Sequence, residues 1–415
     1  MSSPVPKLFS PIQVGNTKLK HRVVLAPLTR FRATRSTHVP VVPLVKEYYS
    51  QRGSVAGTLL ITEATFIAPE AGGYRYAPGI YSKEQIEAWK EITAAVHAKG
   101  SYIFLQLWAL GRAASPDILA EEGNYPYVSA SAIPLSSSEA ASPPPRALTL
   151  DEIDRYVNHY ATAAKNAVAA GFDGVEIHGA NGYLIDQFLQ DVSNTRTDTY
   201  GGSIENRSRF GLRVVDAISK AIGQERTAIR LSPWGRYQDM AMDDPVPQFS
   251  HFVSALAKHH PKLAYVHLVE PTKGPGDVPL QPKPRTKERE ESNDFIREIW
   301  APHPLITCSE YTRETAVSTA EKKGDIIGFG RLFISNPDLP FRLEHNLTLT
   351  IPDPSTFYTH SDEPHAAKGY IDYPFSIQFE RSRPRDPLPT KSRLVEFATY
   401  AGIVGLIGYN LVSCL

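Results

Sequence analysis

The stretch Gly174-Val-Glu-Ile-His-Gly-Ala-Asn-Gly-Tyr183 is the part of the chain that decides the fold, and it also points to a chemistry. Its apolar start, residues 175–177, predicts a short buried strand that runs into a polar turn. His178 and Asn181 can both donate hydrogen bonds to one oxygen, and Tyr183 can hold a proton over the neighbouring carbon. A lone His at a strand end is usually structural. Three such residues at one strand end favour a site that polarises a carbonyl group and protonates the carbon beside it.

Short apolar, β-branched runs of this kind recur along the chain, and helical patterns lie between them. The expected strands are residues 22–26, 58–62, 102–107, 174–177, 227–231, 265–269, 305–307 and 326–329. The expected helices include residues 82–99, 150–170, 204–222, 247–258, 293–300 and 312–323. Eight strands alternating with helices predict a closed (β/α)8 TIM barrel. A doubly wound open sheet is the alternative, weakened because no Gly-x-Gly-x-x-Gly follows an expected strand.

Composition narrows the class of protein. The chain has 415 residues, of which 42% are apolar and 21% charged, so a large folded core is expected. Lys+Arg and Asp+Glu both number 44, and nothing global attracts nucleic acid or anionic lipid. The two cysteines, Cys308 and Cys414, allow at most one disulfide, which fits a reducing compartment. The first residues lack a basic region followed by an apolar run, so we expect no secretory signal and a cytoplasmic location.

Polar side chains stand at the expected strand ends, where barrels of this type carry their chemistry. Those positions hold Thr29, Gln106, His178 with Asn181, Arg230 and Arg331. Each alone has an ordinary structural explanation, but their convergence on one rim favours a site. Arg331 follows Gly330 after the last strand, where barrels often hold phosphate, and Arg230 is placed to stabilise a delocalised negative charge. With Thr29 and Gln106 available to a heterocycle, the set predicts flavin mononucleotide, FMN.

A series of motifs runs from about residue 8 to residue 373. They are Leu8-Phe-Ser-Pro-Ile12, Ala26-Pro-Leu-Thr-Arg30, Glu47-Tyr-Tyr49, Gln106-Leu-Trp108, His178-Gly-Ala-Asn-Gly-Tyr-Leu184, Ser193-Asn-Thr-Arg-Thr-Asp198, Tyr200-Gly-Gly-Ser203, Glu205-Asn-Arg207, Arg230-Leu-Ser232, Gly330-Arg331 and Phe333-Ile-Ser-Asn-Pro337. Through these motifs together the chain resembles the Old Yellow Enzyme family of flavin-dependent ene-reductases, in its fungal-like form. Any one of them alone is a weak signal.

The resemblance implies a barrel that binds FMN, which NADPH (or NADH) reduces, and an α,β-unsaturated aldehyde or ketone as substrate. Hydride would pass from reduced FMN to the β-carbon, and Tyr183 would protonate the α-carbon. His178 and Asn181 would hold the substrate carbonyl. By similarity the cofactor contacts would be Thr29, Ala64, Gln106, Arg230, Ser309, Gly330 and Arg331, and the further substrate contacts Trp108, Phe357 and Tyr358. A place in a secondary-metabolite pathway is expected on the same ground.

The chain departs from the family pattern at two places. Relatives usually end the seventh strand with small residues whose amides approach the phosphate, whereas this chain has Ser309 followed by Glu310. A Glu310 side chain turned inward would repel the phosphate by roughly 4 kcal/mol at about 4 Å and an effective dielectric of ~20, so we expect it to turn outward. Ala64 stands where relatives often carry Gly.

Three alternative functions remain open. A flavin-dependent isomerase without net reduction is one, although such fungal relatives lack the proton donor that Tyr183 supplies here. A non-redox barrel with impaired FMN binding is the second. A metal-dependent hydrolase on the same fold is the third, and it is weakened because no His-x-His lies on an expected strand. The substrate, the choice of nicotinamide and the oligomeric state are not indicated.

The C-terminal part of the sequence has a different composition. Residues 374–393 form a basic, Pro-rich linker, and residues 394–415 are mainly apolar, with no charged residue after Glu396. This run approaches the ~20 residues that cross a bilayer, and the basic flank fits a cytosolic side. The pattern predicts either an anchor in an intracellular membrane, a helix docked on the barrel, or a disordered tail.

Overall fold

Parallel strands dominate the computed structural model, which describes residues 5–137, 143–271 and 290–383. The strands in these residues are β1 (Ile12–Val14), β2 (Thr17–Leu19), β3 (Val23–Leu25), β4 (Leu59–Ile61), β5 (Thr65–Phe66), β6 (Tyr102–Trp108), β7 (Val128–Ser129), β8 (Arg146–Ala147), β9 (Gly174–Gly179), β10 (Thr227–Leu231), β11 (Tyr265–Val269), β12 (Leu305–Cys308) and β13 (Ile326–Phe329). Every one of the eight predicted barrel strands has a counterpart, with bounds that differ by two residues or fewer.

The barrel closes through parallel pairings only. Its strand order is β4-β3-β13-β12-β11-β10-β9-β6, and a further pairing of β4 with β6 closes the circle. The short β5 continues alongside the end of β6. The predicted (β/α)8 barrel is therefore confirmed over the described residues, and the doubly wound alternative is wrong because an open sheet has no such closing pair.

Helices cover the outside of the barrel. The α-helices among the described residues of the unit that contains the barrel are α1 (Leu44–Arg52), α2 (Lys83–His97), α3 (Pro116–Gly123), α4 (Leu150–Ala169), α5 (Leu184–Leu189), α6 (Ile204–Ile222), α7 (Val246–His259), α8 (Asp294–Trp300), α9 (Arg313–Lys323), α10 (Arg331–Ser335) and α11 (Leu339–Glu344). A further helix, α12 (Ile377–Ser382), belongs to the second unit. A capping box opens α4, in which the Thr149 hydroxyl accepts the Glu152 N–H and the Glu152 carboxylate accepts the Thr149 N–H. Such paired caps fix where a helix begins.

Side chains alternate between two cores along each strand. Val175 and Ile177 of β9 face the helices and join the large outer core, whereas Phe104 of β6 and Ala228 of β10 face the barrel interior. The period of two follows from the strand geometry, and burial on both faces explains why these strands are nearly continuous apolar runs.

A hairpin of β1 and β2 closes the end of the barrel where its strands begin. Val14 and Leu19 of the hairpin are fully buried in the interior core. The turn between the strands needs Gly15, whose φ is +51° and whose added Cβ would collide with the carbonyl of Glu225. The opposite end of the barrel, at the carboxyl ends of the strands, carries the polar residues.

The chain divides into two units, residues 1–374 and residues 375–415, and of the second unit the structure describes residues 375–383. In the first, β7 pairs with β8, and the two strands lie at the start and end of residues 129–146, a stretch rich in Ser, Ala and Pro. In the second, α12 begins at Ser376, whose hydroxyl accepts the Phe379 N–H. The predicted tail over residues 394–415 lies outside the described residues. Within the described residues no helix is both long and apolar enough to cross a membrane.

Candidate active site

The barrel interior changes from apolar to polar along the strands. In three strands of the barrel an apolar interior residue is followed two positions later by a polar one. The pairs are Phe104 and Gln106 on β6, Ala228 and Arg230 on β10, and Tyr265 and His267 on β11. On β9 the interior positions hold Glu176 and then His178. We call this polar group, together with Cys308 at the end of β12, the upper layer.

A chain of hydrogen bonds connects three side chains of the upper layer. Glu176 is fully buried and accepts hydrogen bonds from Gln106 Nε2 at 2.7 Å and from His267 Nδ1 at 2.8 Å. Burial opposes ionisation of Glu176, but the positive charges of His267 and Arg230 and the hydrogen bonds from His267 and Gln106 together outweigh burial and lower the carboxyl pKa. The pKa of His267 is raised, because Glu176 and Cys308 together outweigh the burial of the imidazole. The pair is therefore a buried carboxylate and imidazolium.

Arg230 carries a second buried charge, next to Cys308. The Arg230 Nη2 atom donates to the Cys308 sulfur at 3.2 Å, while the buried Nε atom has no partner among the described residues. Burial opposes the charge of the guanidinium, yet Cys308 and Glu176 outweigh it and raise the Arg230 pKa. A buried cation with an unpartnered N–H can accept an anionic ligand.

His178 is held as a neutral imidazole beside Arg230. The two residues lie opposite each other on β9 and β10. Burial lowers the pKa of His178 well below its ordinary value, and the positive charges of Arg230 and His267 lower it further. Nδ1 accepts the backbone N–H of Ala180 at 3.4 Å. The ring proton therefore lies on Nε2, which makes Nε2 a hydrogen-bond donor for a ligand.

The turn after β9 holds Asn181 in a left-handed conformation, with φ of +58°. Its backbone N–H donates to the Ser232 hydroxyl at 2.8 Å, and the next N–H, from Gly182, donates to Asp186 at 2.8 Å. Asp186 is fully buried, and burial raises its pKa to about 7. Two side chains thus fix the backbone at Asn181, and its side-chain amide has no hydrogen bond within the described residues.

Three aromatic rings meet beside this turn. The Tyr183 ring lies 4.9 Å from the Trp108 ring and 4.8 Å from the His178 ring, in both cases close to perpendicular. Burial raises the pKa of Tyr183 well above its ordinary value, and the neighbouring Tyr74 and Tyr237 raise it further. The hydroxyl therefore keeps its proton over the physiological pH range, as a proton donor must. We call Trp108, His178 and Tyr183 the ring cluster.

The other predicted cofactor residues lie around the same end of the barrel. Ala64 is buried, and its methyl group packs with Trp108 in one apolar cluster. Thr29, Ser309 and Gly330 are half-buried, and Arg331 is exposed at the start of α10. The Thr29 and Arg331 side chains make no hydrogen bond or ion pair to another part of the chain that the structure describes. Glu310 is exposed, as expected from its like charge.

Two buried arginines fix the segment that carries Phe357 and Tyr358. Arg30 donates from Nε to the Phe357 carbonyl at 3.0 Å and from Nη2 to the Gly369 carbonyl at 3.0 Å, and Arg32 donates to the Ala366 carbonyl at 2.9 Å. Phe357 packs against the Arg30 guanidinium. Tyr358 is 63% exposed and influences the pKa of Tyr183, which places it at the rim rather than in the ring cluster.

The polar groups of the upper layer and its rim fit FMN. Among the described residues, Arg230 has a buried N–H without a partner, Gln106 has amide capacity beyond its bond to Glu176, and the Thr29 hydroxyl has no partner. The exposed Arg331, which has no ion pair within the same residues, adds a cation at the rim for a phosphate. A heterocycle with a delocalised charge and a phosphate is the ligand that such a set can satisfy.

Several site residues were not found from the sequence. Glu176, His267 and Cys308 belong to the upper layer, and Gln238 lies beside Tyr183. The alternation of β9 would have identified Glu176, since it stands two positions before His178 on the same face. His267 could have been found in the same way, because the strand bounds of β11 were predicted correctly.

Comparison with known proteins places the chain among flavin-dependent oxidoreductases. It is 50% identical to the chanoclavine-I aldehyde reductase fgaOx3 of Penicillium roqueforti (strain FM164) over 381 residues, 91% of this chain and 98% of the relative. It is 47% identical over 379 residues to the probable inactive reductase easA of Epichloe festucae var. lolii, covering 90% of this chain and 96% of that one. The relatives thus include a named aldehyde reductase and a member described as inactive.

A solved structure supports the same placement. Morphinone reductase superimposes with a TM-score of 0.79 at 38% identity, covering 94% of this chain and all of that one. The family model for the NADH:flavin oxidoreductase / NADH oxidase family matches residues 7–350. The match includes the upper layer, the ring cluster and Arg331. The chain therefore belongs to the NADH:flavin oxidoreductase family, the Old Yellow Enzyme family, whose members bind FMN and use a nicotinamide as reductant.

Proposed function

We propose that this protein is an FMN-dependent ene-reductase that uses NADPH, or NADH, to reduce the C=C bond of α,β-unsaturated aldehydes and ketones. The observation that carries the proposal is the ring cluster, in which a neutral His178 and a protonated Tyr183 lie side by side. A neutral donor for a carbonyl oxygen and a proton donor for the adjacent carbon are what alkene reduction requires of the protein.

The cofactor contacts would be shared between the upper layer and the rim. Arg230 and Gln106 would face the isoalloxazine ring, with Thr29 at its edge and Ala64 packed against it. Ser309, Gly330 and Arg331 would hold the phosphate. When bound and reduced, FMN would supply a hydride to the β-carbon of the substrate. The fit of the unpartnered Arg230 Nε atom supports this arrangement.

The substrate would be oriented by its carbonyl oxygen. The Nε2–H of His178 and the side-chain amide of Asn181 would both donate to this oxygen and draw electron density from the alkene. The Tyr183 hydroxyl would give its proton to the α-carbon and recover one from solvent. Trp108 would form a wall of the pocket, while Phe357 and Tyr358 would lie at its mouth.

Rapid-mixing kinetics of Tyr183→Phe test the proposal. Reduction of the bound flavin by NADPH should proceed within about two-fold of the wild-type rate, because the hydroxyl has no part in that step. Alkene reduction should slow by roughly 10²- to 10⁴-fold, the usual contribution of a general acid.

Tyr74→Phe is the matched control for this experiment. Tyr74 also packs edge-on against Trp108, and burial raises its pKa, but it lies outside the ring cluster. Its variant should leave both half-reactions close to wild type. If Tyr183→Phe slowed both half-reactions equally, the role of Tyr183 as proton donor would be wrong.

Stoichiometry separates the proposed reduction from flavin-dependent isomerisation. Net reduction consumes one NADPH for each product, whereas an isomerase turns over without net consumption. The presence of a protonated Tyr183 supports net reduction. A protein that takes up no FMN would instead support the non-redox alternative. The similarity to a probable inactive reductase is one reason to test this alternative.

We further propose, from sequence, that residues 394–415 attach the enzyme to an intracellular membrane with the barrel on the cytosolic side. The support is the uncharged run after Glu396 behind a basic linker. Fractionation of cells that express the full chain or a chain ending at Arg393 tests this. Equal partitioning of the two chains between membrane and cytosol would contradict the anchor.

A further inference from the structure

Cys308 is a residue of the upper layer to which the proposed reaction gives no role. It ends β12, and its sulfur accepts a hydrogen bond from Arg230 Nη2 at 3.2 Å. The neighbouring strand leaves space for it, because Gly328 lies opposite and an added Cβ there would be only 3.1 Å from the Cys308 Cβ. The thiol is buried and is a free cysteine among the described residues. The cation that donates this hydrogen bond is the one proposed to face the flavin.

The charged groups around Cys308 favour a thiolate. Arg230 on β10 and His267 on β11 are positive and interact with the sulfur, while Glu176 on β9 is negative and pairs with His267. Tyr265, also on β11, stays neutral because burial raises its pKa. The inward positions of β13 carry no charge. Burial opposes ionisation, but Arg230 and His267 outweigh it and lower the Cys308 pKa to about 7.

A thiolate and a reduced flavin would compete for the same cation. Reduced FMN bound as the proposed function requires is negatively charged, and so is the Cys308 thiolate next to Arg230. Like charges at short range raise the pKa of each other's protonatable groups. Reduction of the flavin would therefore raise the affinity of Cys308 for a proton, and the protein would take up that proton from solvent.

We propose that Cys308 acts as a proton-dependent counter-charge to Arg230 and thereby sets how the reduction potential of bound FMN responds to pH. This inference rests on the proposed function, since it requires FMN next to Arg230. On reduction, two electrons and one proton enter the flavin. A second proton enters the Cys308 thiolate, which becomes a thiol. No bond to sulfur forms or breaks.

Potentiometric titration with reference dyes between about pH 6 and pH 9 tests the inference, because this range brackets the thiol pKa. Uptake of a second proton per two electrons should steepen the dependence of the potential on pH by up to about two-fold above neutral pH. Cys308→Ser keeps the approximate size of the side chain and the hydrogen bond from Arg230, but the Ser hydroxyl does not ionise in this pH range. Cys308→Ala also removes the hydrogen bond and reduces the size. Both variants should give the shallower slope over the whole range.

A second readout follows the thiol itself and needs no substitution at Cys308. In a Cys414→Ala protein, Cys308 is the only cysteine. The NMR shift of isotope-labelled cysteine should titrate near neutral pH with oxidised FMN bound, and at clearly higher pH after the flavin is reduced with dithionite. Equal titration midpoints, or equal potential slopes in wild type and both variants, would overturn the inference while the proposed function stands. A protein that binds no FMN would overturn the proposed function and the inference together.

Discussion

The two halves of the barrel interior are built from the same strands but have different roles. In the lower half Phe104, Ala228 and Tyr265 pack with the β1–β2 hairpin into an apolar core. Two positions further along the same three strands, the upper layer holds an amide, a guanidinium and an imidazole. A step of about 7 Å along a strand thus separates a packed core from a set of buried charges.

The difference shows how one barrel can be stable and reactive at once. Burying charge costs free energy unless partners compensate it, and Glu176 with His267 shows such compensation. The lower half offers the apolar burial that offsets this cost. The Arg230 Nε atom has no partner among the described residues, so the upper layer keeps a buried donor that a ligand can satisfy.

Removing packing from the lower half should give the largest effect on stability. Phe104 is fully buried and its ring lies 5.6 Å from the Tyr265 ring. Phe104→Ala should lower the free energy of unfolding by about 3–5 kcal/mol, because it leaves a cavity. The visible spectrum of the folded flavoprotein should not change. Denaturant unfolding measures the loss, and Phe104→Leu, which should cost less than about 1.5 kcal/mol, is the control. Equal stability of all three proteins would contradict the assignment of the lower half as core.

Removing a donor from the upper layer should affect ligand binding instead. His178→Leu should weaken binding of a simple phenol by roughly 10- to 150-fold, since a hydrogen bond to a charged oxygen contributes about 1.5–3 kcal/mol. Phenol is titrated into the flavoprotein, and the long-wavelength charge-transfer band expected from phenolate against the FMN ring measures the dissociation constant. His260→Leu provides the control, because His260 is also buried but lies at the end of α7. A His178 variant that bound phenol as wild type does would remove this residue from the site.

The buried carboxyl beneath the turn should make stability depend on pH. Burial raises the folded-state pKa of Asp186 to about 7. The stability associated with the neutral carboxyl is therefore full below the ordinary pKa and is lost as pH rises toward 7, by up to about 1.4 kcal/mol per pH unit. Asp186→Asn cannot ionise and should not show this loss. Unfolding curves from pH 5 to pH 8 measure the difference, and parallel profiles would show that Asp186 does not titrate as stated.

Loosening the turn should give the smallest effect. Ser232→Ala removes the acceptor of the Asn181 N–H, which is worth about 0.5–1.5 kcal/mol, so phenol affinity should fall by only a few-fold. Flavin content should be unchanged. Ser219→Ala on α6 is the control, since its buried hydroxyl has no partner in the described part of the chain. A larger loss in the Ser219 variant than in the Ser232 variant would contradict the positioning role.

The sequence allowed the fold to be predicted almost completely, because strands buried on both faces leave long apolar, β-branched signals. The bounds of β10, β11 and β13 were predicted without error. The polar residues at the carboxyl ends of the strands could also be located from the sequence, because a barrel brings all of these ends to one side.

Contacts between distant parts of the chain could not be predicted in this way. Glu176 and His267 are 91 residues apart, and Arg30 and the Phe357 carbonyl are 327 apart. A lone Cys in the sequence carries no sign that Arg230 will lie beside it. Which buried charges pair depends on the register between strands. The apolar pattern shows the face on which a side chain lies, but not which residue of another strand lies beside it.

The visible absorption spectrum of the purified, tag-free protein, before and after addition of a phenol, tests the central claim most directly. We expect a flavin spectrum and, with phenol, a new long-wavelength charge-transfer band, because His178 and Asn181 would hold the phenolate against the FMN ring. A flavin spectrum that phenol leaves unchanged would contradict the role of these two residues. A colourless protein that cannot be reconstituted with FMN would contradict the assignment of the upper layer as a flavin site.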